Sequence, residues 1–240
     1  MENEIKDHVV KAYHTAKNPG LNFWHKAGEI AIEILIIVFA VTLSIWVHDR
    51  SEYNHEQKDV KAFLTGLKKD LSSDIVQLQE DRDAYIGAGM AFKYVSKQSP
   101  DFKLNTDSIK KYQDYLFNGT EFIPNNGRYE GFKSSGKLGN IEDNELQNDI
   151  TSFYQGIVPT ISASASSYSQ RKQFLFEYLY KNIRRDANGH INLVSVLSTD
   201  EAHIISLTLS STEEITARYD RAIKKSKEII RKINVDYDLK

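Results

Sequence analysis

The sequence predicts an all-α protein, in which one N-terminal transmembrane helix continues into a long helix that packs in a membrane-distal bundle of about four main helices. Three observations predict this fold. Residues 34–47 form an uncharged apolar run, and the 240 residues contain only four prolines and twelve glycines. Elsewhere, apolar residues recur at helical spacing, and no stretch shows the sustained alternation of a half-buried strand.

The apolar run is long enough to cross a bilayer once the residues before it are included. From Ala27 to Val47 there are about 21 residues, which suffice for a hydrocarbon core roughly 30 Å thick. Trp24 and Trp46 are separated by about 33 Å of helix, which is the spacing expected of interfacial anchors. The predicted domains are an N-terminal tail at 1–22 that can form an interfacial helix, a transmembrane helix at 23–48, and a helical bundle at 49–240.

A single helix is predicted to run from the span to about Lys97, because no helix breaker occurs before Ser99-Pro100. Its apolar face is near-heptad in spacing, so it could pack within the chain or as a coiled coil between copies. The members of that face are Val60, Phe63, Leu64, Leu67, Leu71, Ile75 and Leu78.

Capping residues predict the boundaries of the remaining helices. Thr106 is expected to cap a helix over about 107–117, and Asp143 a long helix toward Arg185 that is kinked at Pro159. A capping box at 198–201 should open the last helix, and a second box at 211–214 should interrupt it. Basic residues in 218–232 could attract anionic lipid or form a solvated face with ion-pair partners.

Two glutamates enter the span from its N-terminal side. Glu29 and Glu33 fall close to one stripe with Ala40 and Ser44, which predicts a membrane-helix interface. Three interpretations of Glu33 are open: it is protonated or hydrogen-bonded in a homo-oligomer, it pairs with a basic or polar residue of another membrane protein, or it carries protons or ions.

The remaining composition excludes several kinds of chemistry. The chain has no cysteine and a net charge of −2, so it offers neither thiol chemistry nor a global field for nucleic acid. No nucleophile elbow, metalloprotease helix or dinucleotide fingerprint occurs, and we predict neither catalytic residues nor a cofactor. One group of possible metal ligands lies on a single helical face and consists of His48, Glu52, His55 and Asp59. A solvated polar face is the favoured interpretation of this group.

Two blocks of the chain resemble an uncharacterised family of bacterial single-pass membrane proteins, a domain of unknown function. The first block runs from Gly28-Glu29-Ile30 through Trp46 to the charged helix with Leu64, Leu67, Asp70 and Leu71. The second runs from Tyr129-Glu130 through Phe132-Lys133-Ser134-Ser135-Gly136-Lys137-Leu138 to Phe153-Tyr154. The resemblance covers most of the chain and implies a bacterial inner-membrane location without supplying an activity. Glu33 departs from the family's pattern, which carries few charges in mid-span.

These observations predict a non-enzymatic scaffold or sensor that binds a protein or ligand. Its expected partners are the lipid bilayer, further copies of the chain through the membrane and juxtamembrane helix, and another membrane protein. Basic residues flanking the span are nearly balanced, but a short tail is easier to leave in the cytoplasm, so we expect the bundle in the periplasm. The alternative is an accessory single-span subunit of an ion-driven membrane complex that uses Glu29 and Glu33.

Overall fold

A computed structural model describes residues 2–17, 23–97 and 103–237. Within these ranges the chain is helical, and its only β pairing is one antiparallel bridge between Arg185 and Ile191. The α-helices are α1 (Glu2–Lys17), α2 (Phe23–Val95), α3 (Thr106–Phe117), α4 (Gly127–Ser134), α5 (Asn144–Ser152), α6 (Val158–Asn182), α7 (Leu193–Leu197), α8 (Asp200–Ser210) and α9 (Glu213–Asp236). A 3₁₀ turn (Lys137–Asn140) follows α4, and a π-helical turn (Phe153–Ile157) joins α5 to α6.

Contacts divide the chain between Asp59 and Val60 into two compact units. The N-terminal unit contains α1 and the first part of α2, and the helical domain contains everything described from Val60 onward. The predicted breaker Ser99-Pro100 lies outside the described residues. The helix that it was expected to end stops at Val95.

The core of the helical domain forms along the predicted apolar face of α2. Six of the seven predicted residues are buried and Ile75 is partly buried against them, which confirms that this face packs within the chain. Gly66 lies next to this face, and a Cβ there would come within 2.3 Å of the guanidinium of Arg128. The missing side chain therefore makes room for Arg128, which donates to Asp70 of α2 at 3.0 Å.

Two predicted helix caps were wrong by one residue. Asn105, not Thr106, caps α3, because its side-chain oxygen accepts from the backbone N–H groups of Asp107 and Ser108. Thr199, not Ser198, caps α8 by accepting from the backbone N–H of Ala202. The predicted cap at Asp143 is confirmed, and so is the break near Ser211, since α8 ends at Ser210 and α9 begins at Glu213.

The irregularity predicted at Pro159 takes the form of the π-helical turn immediately before it. Pro159 has no N–H to give to the carbonyl four residues earlier, and its ring crowds that carbonyl. The turn widens accordingly, so that Val158 donates to the carbonyl of Phe153, five residues back. Wider turns of this type commonly accompany such conflicts within a helix.

The basic face of α9 finds intramolecular partners. Lys225 and Lys232 reach Asp149 of α5 at 3.0 and 2.8 Å. Although burial opposes it, hydrogen bonds from these two lysines hold the pKa of Asp149 below its ordinary value. Part of the predicted basic cluster therefore joins α9 to α5.

Candidate functional sites: the apolar helix and a pocket beside Lys172

The apolar part of α2 is exposed almost throughout. Among the described residues, one helix is long and apolar enough to cross a membrane, and only 6% of its most apolar 18-residue window is buried. The core helix of a soluble protein would be mostly covered by protein at such a window. Both predicted anchors, Trp24 and Trp46, are exposed as well.

One stripe of this helix is less exposed than the rest. Ile30, Ile37, Ala40 and Ser44 are partly covered and Glu33 is buried, whereas the residues between them are mostly exposed. Glu33, Ala40 and Ser44 of the predicted interface therefore share a face of α2. The side chain of Glu29, the fourth member, lies outside the described residues.

Glu33 is paired within the chain. Its Oε1 atom lies 3.1 Å from Nζ of Lys11 in α1, and the Glu33 side chain retains 9% of its exposure against 72% for Lys11. The sequence suggested a basic partner for Glu33 only on another membrane protein. No pattern in α1 distinguishes Lys11 from its other lysines, so the pairing could not be read from the sequence.

The candidate metal group does not assemble. The Nε2 atom of His48 approaches Oε2 of Glu52 at 4.0 Å, with both side chains largely exposed. The part of the chain that the structure describes brings no three histidine or carboxylate side chains together in a metal-binding arrangement. His55 and Asp59 therefore add no ligands to this pair.

Four polar residues at successive turns of α2 hold a non-helical stretch of chain at 120–125. We call Asp74, Gln77, Asp81 and Tyr85 the polar ladder, and residues 120–125 the clamped segment. Asn125 donates from its backbone and side chain to Asp74, and Gln77 donates to a carbonyl at residue 121. The Thr120 hydroxyl donates to Asp81. The backbone carbonyl of Thr120 accepts from the Tyr85 hydroxyl at 3.0 Å.

A pocket of about 230 Å³ opens beside the start of the clamped segment. Its walls come from α2, the C-terminal end of α3, the following loop and α6. Gly87 shapes one wall, because a Cβ there would come within 2.2 Å of the Tyr115 ring. The lining residues are Ala84, Tyr85, Ala88, Asp114, Tyr115, Asn118, Gly119, Thr120, Tyr168, Ser169 and Lys172.

Lys172 is the unusual member of this pocket, since it is only 5% exposed. Its ammonium group donates to the backbone carbonyls of Tyr115, at 3.0 Å, and Asn118. Both carbonyls lie where α3 ends, so the positive charge caps that helix terminus. Burial lowers the pKa of Lys172 to about 8.

Aromatic rings surround the amine and the pocket. The Lys172 Nζ atom lies 5.8 Å from the ring centre of Phe92 and 5.9 Å from that of Phe176. Tyr85 and Tyr168 meet edge to face with ring centres 5.2 Å apart. Burial raises the pKa values of both phenols, Tyr85 to about 12, so both are neutral at physiological pH. The pocket thus combines an apolar aromatic wall with one buried amine.

The fold and these sites define an α-helical protein whose described residues include one candidate membrane span and, in the helical domain, a small aromatic pocket beside a buried lysine. A family model described as a family of unknown function, DUF6090, matches residues 33–175, more than half of the chain. The protein belongs to this family. The matched range includes Glu33 and Lys172 and excludes Glu29. No curated protein and no solved structure shows a significant match to the chain.

Proposed function

We propose that the protein is a non-enzymatic, single-pass membrane protein, a scaffold or sensor whose helical domain binds a protein or a ligand. Its expected location is the bacterial inner membrane, in keeping with the resemblance described above. We place the helical domain in the periplasm and the short N-terminal segment in the cytoplasm, because the short segment is the easier one to leave untranslocated.

The exposed apolar window of α2 carries this proposal. Twelve residues between Ile30 and Val47 are isoleucine, leucine, valine or phenylalanine. Each favours the membrane centre by roughly 0.3 to 0.6 kcal/mol, so together they contribute on the order of 5 kcal/mol. Since the described residues of the chain bury only 6% of this window, lipid is the solvent that suits it.

The pairing of Glu33 with Lys11 supports insertion. A lone carboxylate at mid-bilayer opposes insertion by roughly 2.5 to 3.5 kcal/mol, and less near the interface. An ammonium group 3.1 Å away compensates part of this penalty. The long Lys11 side chain is itself mostly exposed, so its charge can remain at headgroup depth. Exposed Val9 and Tyr13 give α1 apolar surface for the same interface.

Membrane fractionation tests the anchor. We expect the full chain to remain in the membrane pellet after an alkaline carbonate wash and to dissolve in detergent. Replacing Ile37 and Val41 by lysine should shift a large part of the protein to the soluble fraction. Release of the unaltered chain by carbonate would overturn the proposal. Protease added to spheroplasts should digest the helical domain, and its protection there would overturn the periplasmic orientation.

Self-association is proposed to use the face that bears Ala40 and Ser44. Small residues one turn apart allow two membrane helices to approach closely. Because the chain has no cysteine, single-cysteine variants report this contact without background. Oxidation of Ala40→Cys or Ser44→Cys in membranes should give a disulfide-linked dimer. Val41→Cys, on an exposed neighbouring position, is the matched control. Equal cross-linking at all three positions, or none, would contradict this interface.

A second candidate is an accessory subunit of an ion-driven complex, and a buried acid in the span favours it. Glu33→Gln removes the ionisable proton and keeps the side-chain size. A lost proton-dependent phenotype with unchanged cross-linking would favour the ion-driven role. An unchanged phenotype would support the structural role, in which Lys11 balances the charge of Glu33. Glu29→Gln provides the same comparison at the position preceding the matched family range.

A further inference from the structure

The pocket beside Lys172 has an unused hydrogen-bond donor on a buried side chain in its wall. An ammonium group has three N–H bonds, and two of them go to the carbonyls of Tyr115 and Asn118. Among the residues that the structure describes, no acceptor takes the third. Lys172 lines the pocket, so that N–H is available to a bound molecule. A buried donor that a ligand can satisfy contributes more to binding than a solvated one.

The size and walls of the pocket restrict the ligand. A cavity of about 150 Å³ lined by apolar side chains accommodates benzene. The present pocket, at about 230 Å³, therefore has room for one six-membered ring with a short polar substituent. Tyr85, Tyr115 and Tyr168 provide aromatic surface, and edge-to-face or offset contacts with a ring are favourable.

The charged side chains of the pocket determine which polar substituent a bound ligand can carry. Lys172 favours an anion, and a carboxylate is the small anion that accepts most strongly from an ammonium group. Asp114 lines the same pocket but forms no ion pair with Lys172 within the described structure, so its negative charge opposes a second anionic group. These opposing charges favour a ligand with a single carboxylate.

We propose that this pocket binds a small aromatic monocarboxylate, whose carboxylate accepts from Lys172 while its ring lies among Tyr85, Tyr115 and Tyr168. This proposal deepens the binding role proposed above and rests on it, since a sensor domain needs a ligand. It does not depend on the membrane anchor, so failure of the carbonate test and failure of ligand binding are separate outcomes.

Phenylacetate and its neutral analogue phenylacetamide are suitable probes, since they share one ring and differ in charge. Binding to the full chain in a mild non-ionic detergent can be measured by calorimetry or by tyrosine NMR signals. We expect phenylacetate to bind about ten-fold or more tightly than phenylacetamide, because charged hydrogen bonds are stronger than neutral ones. Equal binding of the two probes, or no binding of either, would overturn the proposal.

Three variants separate the ligand site from partition into detergent. Lys172→Met should lower phenylacetate binding to the level of phenylacetamide. Ala84→Leu fills the pocket from a partly exposed position and should abolish binding of both probes while Lys172 remains in place. Asp114→Asn should tighten phenylacetate binding several-fold by removing a nearby negative charge. Unchanged binding in Ala84→Leu would place the probes elsewhere and refute the site, even if Lys172→Met fails to fold.

Discussion

The buried amine of Lys172 should make the helical domain more stable at alkaline pH than at neutral pH. Burial lowers the pKa of Lys172 from 10.5 to about 8. Between these two values the unfolded chain holds a proton that the folded chain has released. Because the unfolded state then binds more protons, the free energy of unfolding rises with pH across this window.

The size of the effect follows from the shift. Where the unfolded amine is protonated and the folded amine is not, each pH unit adds about 1.4 kcal/mol to the free energy of unfolding. The gain is smaller near pH 8, because the folded amine is only half deprotonated at its own pKa. Raising the pH from about 8 to about 9.5 should therefore increase the free energy of unfolding by roughly 1 to 2 kcal/mol. A neutral amine still has two N–H donors for the carbonyls of Tyr115 and Asn118, so the helix cap survives deprotonation.

Urea denaturation of the full chain in mild detergent, followed by near-UV circular dichroism of the tyrosines, measures this dependence. Both tryptophans lie in the N-terminal unit, so tyrosine signals report the helical domain more directly. The buried phenols, whose pKa values are raised above the ordinary value of 10, oppose the rise as the pH approaches 10, because tyrosine ionises first in the unfolded chain. The Lys172→Met variant has the same phenols, so its profile is the baseline for the comparison. Lys172→Met should flatten the profile, and Lys181→Met, an exposed lysine on the same helix, should leave it unchanged. A wild-type profile that is flat or falling over this range would refute the reasoning.

Three further changes probe the packing of the helical domain by the same denaturation measurement. Asp149→Asn should destabilise it by about 2 kcal/mol at neutral pH, because Lys225 and Lys232 lose a charged acceptor. In the unaltered chain, the stability that Asp149 contributes should disappear as the pH falls below the ordinary carboxyl pKa of 3.8, because the unfolded chain takes up this proton first. Asp81→Asn should be neutral or stabilising by up to about 1 kcal/mol, because burial raises the pKa of this carboxyl and an amide oxygen can still accept a hydrogen bond. Leu67→Ala should remove about 3 kcal/mol, because the side chain is fully buried.

Exposed positions on the same elements provide matched controls. Asp83→Asn lies two residues from Asp81 and is largely exposed, so its effect should stay within about 0.5 kcal/mol. Val76→Ala on the exposed side of α2 should change stability by a similarly small amount. An Asp81→Asn variant that is destabilised by more than about 2 kcal/mol would show that the charged carboxylate stabilises the fold.

The sequence predicted elements wherever local periodicity decides the structure. The apolar face of α2 follows helical spacing over several turns, so its burial was predictable without knowledge of its partners. Helix boundaries were predicted less accurately, because adjacent residues such as Asn105 and Thr106 are both good caps. Only the backbone geometry decides which of them lies outside the helix.

The charged groups of both candidate sites escaped prediction for a different reason. Lys172 follows Arg171 in a polar stretch and has the sequence context of a surface lysine, but the end of α3 and Phe92 of α2 cover it. Lys11 likewise meets Glu33 through tertiary placement of α1. Pairings between segments far apart in sequence leave no local pattern, so the structure was needed to find them.

The polar ladder also bears on the order in which the helical domain assembles. Its members Tyr85, Asp81, Gln77 and Asp74 have partners that follow them by 35, 39, 44 and 51 residues. Closing the shortest of these loops costs about 3 kcal/mol of chain entropy, and lengthening it to the longest adds only about 0.3 kcal/mol. Once Tyr85 meets residue 120, each later contact closes only a few additional residues. After this first contact, the clamped segment can therefore attach to α2 stepwise from Tyr85 toward Asp74 without closing another long loop.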